Sequence, residues 1–148
     1  MIYTPMTNKA MKIAYEAHDG QFDQNGVPYI FHPFHVAEGM PDEITTCVAL
    51  LHDVIEDTPM TFEDLKDQFP KEVMDALVLL THNPSIPYND YVRAIKDNPI
   101  AKIVKLGDIA HNSDESRFDG NTNISKEQIM HWRNKYTTAK KILEEQCY

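Results

Sequence analysis

The stretch TTCVALLHDVI, running from Thr45 to Ile55, contains no Lys, Arg, Glu or Gln ahead of His52. A helix of that make-up has no clear polar face, so other elements have to cover it on all sides. The remainder of the chain supplies them: it reads as helices joined by short polar connections, with no alternating strand of useful length. Helices are expected over residues 7–18, 33–40, 43–57, 61–69, 71–81, 88–97, 100–112 and 125–146. Local chemistry sets their limits. Asp19-Gly20 stops the first, Asp42 can cap the third, Thr61 to Asp64 has the form of a capping box, and Ser125 can cap the last. Met11, Ala14, Tyr15 and His18 make the expected inward stripe of the first helix. The architecture expected is an all-α bundle, one domain over residues 1–148, without internal repeat or linker.

The covered helix also carries the chemistry. His52 and Asp53 sit where an unpaired charge would cost on the order of several kcal/mol. At about 100° per residue, Glu56 and Asp57 return to the side of His52 and Asp53, so the four share an arc of roughly 140°. Val48, Leu51 and Ile55 fill the other side. Three acids and a histidine so placed need a counter-charge, and a divalent metal is the compact candidate. The plainer alternative is a solvated helix end with His52 as a hydrogen-bonded core residue. A second largely apolar helix, IAKIVKLGDIAHN, holds one carboxylate, Asp108, with Asn112 one turn on along the same face. Gly107 costs that helix about 1 kcal/mol of propensity, which implies that another element packs against its backbone. His32 closes an aromatic-apolar run, Pro-Tyr-Ile-Phe-His, as the chain enters a short helix.

The order His, then His-Asp, then Asp, on three helices, resembles the HD-domain phosphohydrolases. The blocks AHDGQFDQNGVPYIFHPFHVA, ALLHDVIEDT and KLGDIAHN, within residues 17–117, look like the hydrolase half of bifunctional alarmone enzymes and their small stand-alone relatives. That resemblance implies a helical bundle with a metal site between core helices. The implied ligands are His32, His52, Asp53 and Asp108, holding one divalent ion, manganese first. Glu56 and Asp57 would position and deprotonate the attacking water, and the reaction would remove pyrophosphate from the 3′ position of (p)ppGpp. A mixed imidazole and carboxylate set suits Mn²⁺, Fe²⁺, Co²⁺ or Zn²⁺ better than a thiolate-seeking ion. Two departures point to a smaller substrate. Asp23-Gln24 stands where a basic pair commonly faces the phosphates, and Ile109 replaces the usual basic residue after the last metal Asp. The expectation is therefore a metal-dependent phosphohydrolase on a phosphorylated nucleotide. A nucleotidase or phosphatase on a smaller metabolite, or a non-catalytic nucleotide sensor, is the alternative.

Around this set, Asn112, Lys105 and Arg117 are the candidate substrate contacts. His18 is read as a loop anchor, Tyr88 and Tyr91 as core, and His111 as pocket-lining or capping. His35 lies one turn from His32 and could reach the same face, and the last helix is read as a packing and surface element. The net charge of −9 argues against nucleic-acid or anionic-membrane partners, and a bound cation would offset the repulsion of a phosphate substrate. Nothing approaches the roughly 20 apolar residues of a membrane span, and no signal-peptide apolar region opens the chain. Cys47 and Cys147 differ too much in setting to suggest a disulfide framework. A reducing, cytoplasmic location is expected; oligomeric state is open.

Overall fold

The computed structural model describes residues 1–145; Cys147 and the expected end of the last helix at Gln146 lie outside them. Nine α-helices and one 3-10 turn make up the described residues: α1 Pro5–Ala17, α2 Phe31–Glu38, α3 Glu43–Leu51, α4 Val54–Asp57, α5 Phe62–Leu65, α6 Lys71–Leu80, α7 Tyr88–Ile95, α8 Pro99–Asn112 and α9 Lys126–Glu144, with the turn at Glu115–Phe118 before α9. The only pairing of β type among them is a single bridge between Phe22 and Pro28, which closes the loop after α1. No helix of the described residues is long and apolar enough to cross a membrane.

α3 is the axis. Every residue from Thr45 to Leu51 is buried, with α1, α2, α6 and α8 packed around it. The cap on α3 is the expected one: the Asp42 carboxylate accepts from the Thr45 N–H at 2.8 Å. Thr61 and Asp64 form the reciprocal capping box that opens α5, and the Ser125 hydroxyl accepts from the Gln128 N–H to open α9. α1 begins two residues earlier than expected, because Thr4 and Thr7 cap it reciprocally and Pro5 fits its first turn. Its buried face is Thr7, Ala10, Ala14 and His18 rather than the stripe through Tyr15, which is 64% exposed. The choice is steric: α1 lies against α3, and small residues allow the two backbones to approach.

One expected helix is two. The 43–57 segment breaks at His52 and Asp53. His52 Nδ1 lies 2.5 Å from the Ala49 carbonyl oxygen, the acceptor that a continuous helix would reserve for the Asp53 N–H. The turn interrupts the helix, and the acidic pair falls on the separate short helix α4, still lining one cavity with His52 and Asp53.

Gly107 marks the meeting of α8 with α2. A Cβ there would stand 3.1 Å from Val36 Cγ1 and 3.3 Å from the Met40 methyl, so the missing side chain is space that α2 already fills. Gly107→Val should destabilise the metal-free protein by about 1–3 kcal/mol through overpacking. Gly107→Ala should stay within about 1 kcal/mol, since its gain in helix propensity offsets a smaller clash. Urea unfolding of both variants checks this, and a Gly107→Val protein as stable as the parent would refute the close approach.

Candidate functional site

Three chain segments deliver four side chains to one point. His32 comes from the first turn of α2, His52 and Asp53 from the break between α3 and α4, and Asp108 from the middle of α8. One ligand atom from each lies within 4.8 Å of all the others. His32 Nε2 is 2.9 Å from Asp108 Oδ1 and 3.5 Å from Asp53 Oδ2. His52 Nε2 is 3.1 Å from Asp53 Oδ2 and 3.5 Å from Asp108 Oδ1.

The hydrogen bonds behind these atoms say which way their lone pairs face. Because His52 Nδ1 meets a carbonyl oxygen, it must carry the proton. That leaves Nε2 buried with no aligned hydrogen-bond partner. His32 Nδ1 is 2.7 Å from His111 Nδ1, the planes of the two rings being nearly parallel, 13° apart. Asp53 Oδ2 accepts from the Tyr29 hydroxyl at 2.7 Å. Asp108 Oδ2 accepts from Lys105 Nζ at 2.8 Å, and Oδ1 accepts from Asn112 Nδ2 at 3.0 Å. Each inward side chain is thus braced from outside, while acceptor atoms converge at the centre. An orphaned imidazole nitrogen among carboxylate oxygens is what a divalent cation requires, so these four residues fit one.

Charge points the same way. Burial penalises an imidazolium at His52, yet Asp53 and Asp108 outweigh it and hold the pKa well above the usual value. Burial likewise opposes the Asp53 carboxylate, and His52 still draws it down to about 2. Asp108 is desolvated too, but Lys105 and the two histidines keep it well below the carboxylate range. The carboxylates stay ionised and demand positive charge at the centre. Without a cation it is supplied by a proton on His52 Nε2; with one it would be supplied by the ion, freeing that nitrogen as a ligand.

A cavity of about 250 Å³ opens from the cluster, lined among others by Glu56, Asp57, Lys105, Asn112, Lys135 and Tyr136. Glu56 accepts from the His82 N–H at 2.6 Å, and burial raises its pKa against that bond. Asp53, Glu56 and Asp57 form a second group of mutually close carboxylates. A neighbouring cavity of about 340 Å³ shares Tyr29, Asn112 and Tyr136 with the first and adds Phe22, Phe118, Trp132 and Arg117. Lys105 and Asn112 therefore face the cluster, whereas Arg117 faces the second cavity. There Arg117 is held by Asp23 Oδ2 at 3.4 Å and by the His111 carbonyl at 3.0 Å.

Several placements differ from the sequence reading or were missed by it. α9 is more than a packing element: Ala139, Ile142 and Leu143 are buried, but its first half turns Trp132, Lys135 and Tyr136 into the two cavities. Tyr29 and His82 escaped notice because their partners, Asp53 and Glu56, are 24 and 26 residues away. His35 stacks on His111 at 4.2 Å between ring centroids and stays outside the cluster. His18 does anchor the loop after α1, with Nδ1 2.8 Å from Gln21 Oε1. Tyr91 is core, its hydroxyl donating to the Leu80 carbonyl.

Asp57 supplies a test of this charge distribution. Burial, then Asp53 and Glu56, push its carboxyl up to about 6. A folded-state value above the ordinary 3.8 favours the fold below about pH 4, and that contribution is lost as pH rises through about 6. Asp57→Asn should therefore stabilise the metal-free protein, with the gain growing between about pH 4 and 6 and level above. Thermal unfolding across that range measures it; a gain independent of pH would contradict the crowding of these carboxylates.

Comparison with known proteins places the chain in a family. The HD domain family model matches residues 10–83, half of the 148-residue chain. The bifunctional (p)ppGpp synthase/hydrolase SpoT of Escherichia coli is 35% identical over 119 residues, covering 70% of this chain and 17% of that protein. The guanosine-3′,5′-bis(diphosphate) 3′-pyrophosphohydrolase of Haemophilus influenzae is 36% identical over 135 residues, 79% of this chain and 20% of that protein. The chain thus spans about a fifth of the length of these curated relatives. A solved structure described as a metazoan ortholog of SpoT that hydrolyzes ppGpp shares the fold, with a TM-score of 0.80 over 97% of this chain and 88% of that one, at 24% identity. Since the matched region contains the His-Asp pair around which the core is built, the chain belongs to the HD-domain family.

Proposed function

We propose that the chain is a metal-dependent phosphohydrolase acting on a phosphorylated nucleotide, with guanosine 3′,5′-bis(diphosphate) as first substrate and pyrophosphate released from its 3′ position. One observation carries the reading: a cluster of four metal-type ligands, three of which (His52, Asp53 and Asp108) line a cavity, shares that cavity with two carboxylates, Glu56 and Asp57, of raised pKa. A binding module would have no use for that second pair. The names of the relatives support the substrate.

His32, His52, Asp53 and Asp108 would hold the cation, with Mn²⁺ first and Fe²⁺, Co²⁺ or Zn²⁺ as alternatives. When bound, it would supply Lewis acidity, acidifying water and polarising a phosphoryl oxygen. The remaining work falls to the protein. Tyr29 and Asn112 fix the orientation of the two ligand carboxylates through their hydrogen bonds. His111 holds the His32 ring through Nδ1. Glu56, oriented by the His82 N–H, takes the proton from the attacking water, and its raised pKa brings it closer to the working range of a general base. The water oxygen adds to the phosphorus that carries the 3′ oxygen, and the bond from that phosphorus to the 3′ oxygen breaks. The departing 3′ oxygen takes up a proton, returned by Glu56 or drawn from solvent, as pyrophosphate is released. Asp57 would help position the water.

A second reading, a nucleotidase or phosphatase on a smaller phosphorylated metabolite, is favoured by the pairing of Arg117 with Asp23, which leaves that side of the cavity without free positive charge.

The test is an assay of the Mn²⁺-loaded chain on ppGpp, GTP, deoxynucleoside monophosphates, NADPH and bis-phosphorylated sugars. Pyrophosphate release from ppGpp is the expected result. Orthophosphate release from the smaller compounds alone would establish the second reading, and nucleotide binding without any turnover would establish a sensor. In the same assay Asp53→Ala should abolish metal retention. Glu56→Ala should keep the metal and lose about 10²–10⁴-fold in turnover; full activity in Glu56→Ala would remove its assigned role.

A further inference from the structure

Three cationic side chains reach the two cavities, Lys105, Arg117 and Lys135. Two are already neutralised: Lys105 by Asp108 at 2.8 Å and Arg117 by Asp23 at 3.4 Å. Among the described residues Lys135 has no carboxylate within ion-pair distance. Its ammonium lies instead over the Tyr88 ring, 4.4 Å from the centroid, and 5.5 Å from that of Tyr136. Lys105 approaches the same Tyr88 ring at 5.5 Å.

Two ammonium groups around one tyrosine ring repel each other, and the ring's electron density compensates only in part. Desolvation and the neighbouring Lys105 both lower the Lys135 pKa. The Tyr88 hydroxyl is buried without a well-formed hydrogen bond, and the side-chain group that interacts with it is the Lys105 ammonium. A cation short of a counter-ion and a hydroxyl short of a partner therefore line the same cavity as the carboxylates of Glu56 and Asp57. An anion that bridged them would relieve both deficits at once.

We propose that Lys135, assisted by the Tyr88 hydroxyl, is a phosphate-binding subsite of the cavity, contacting a phosphoryl oxygen of the substrate from the α9 side. This rests on the phosphohydrolase reading for its setting. It adds the source of positive charge that the loop after α1 lacks, since Asp23 there pairs with Arg117 through Oδ2 and accepts from the Asn25 and Val27 N–H groups through Oδ1. Lys135 is a binding residue and takes no part in proton transfer.

Inorganic pyrophosphate is the probe, titrated calorimetrically into the Mn²⁺-saturated full chain at fixed free Mn²⁺. Lys135→Met should weaken pyrophosphate binding roughly tenfold or more, the scale of a hydrogen bond to a charged group. Lys135→Arg should recover most of the loss. Mn²⁺ affinity should be unchanged in both, and Lys140→Met, at an exposed position of α9, should bind like the parent. With ppGpp the Lys135→Met defect should appear in KM more than in kcat. A purely structural lysine would lower the melting temperature and leave pyrophosphate affinity intact. That outcome, or loss of Mn²⁺ together with pyrophosphate, would overturn the proposal. A parent chain that binds pyrophosphate through Lys135 yet hydrolyses nothing would defeat the hydrolase reading and leave this subsite standing.

Discussion

Two carboxylates, Asp53 and Asp108, are held within 4.8 Å of each other in the core, and the structure around them is arranged to tolerate that. At an effective dielectric of about 20, two negative charges at this separation repel by about 3 to 4 kcal/mol. Lys105 offsets one of them directly, while Tyr29 and Asn112 each occupy a lone pair. What remains is a demand for one more positive charge at the centre, where the two imidazole nitrogens point. A buried charge cluster of this kind is poor at stabilising a fold by itself. Its presence at the heart of the bundle is explained by what it could hold, a divalent cation.

Packing then decides how accurately the cluster is assembled. The His52 side chain claims the Ala49 carbonyl and turns the chain at the end of α3, which places Asp53 beside His52 and carries Glu56 and Asp57 onto a separate short helix. Gly107 lets α2 come to within contact of α8. That approach brings His32 of α2 up to Asp108 of α8 and lets His111, one turn further along, meet the back of the same ring. A single methyl-sized obstruction at residue 107 would act on both contacts.

The cavities extend this asymmetry outward. Acidic groups line the side nearest α4, and in the loop after α1 the Asp23 carboxylate is spent on Arg117. Positive charge enters from α8 and α9, where Lys105 and Lys135 share the Tyr88 ring. The aromatic second cavity, with Phe22, Phe118 and Trp132, offers apolar surface without free charge. A substrate with a compact anionic end and a flat apolar end matches that division.

The helical class and most helix boundaries were legible in the order of amino acids, and His52, Asp53 and Asp108 stood out there, whereas the full set of four, with His32, came from the resemblance to the HD-domain phosphohydrolases. Those properties are written in local periodicity, in caps such as Asp42, Thr61 and Ser125, and in polar residues set into apolar runs where only pairing makes them tolerable. The continuity of residues 43–57 was misjudged because a side chain competing for one backbone carbonyl leaves no mark on periodicity. The inward face of α1 was misplaced because Ala10 and Tyr15 are both compatible with a buried stripe until a neighbour's distance is known. It took the folded arrangement to reveal that Tyr29 serves Asp53, that His111 backs His32, that Arg117 is occupied by Asp23, and that α9 delivers Lys135. Each of those pairings joins residues far apart in the chain, and helical periodicity carries information across a few turns, whereas such contacts depend on how whole helices cross.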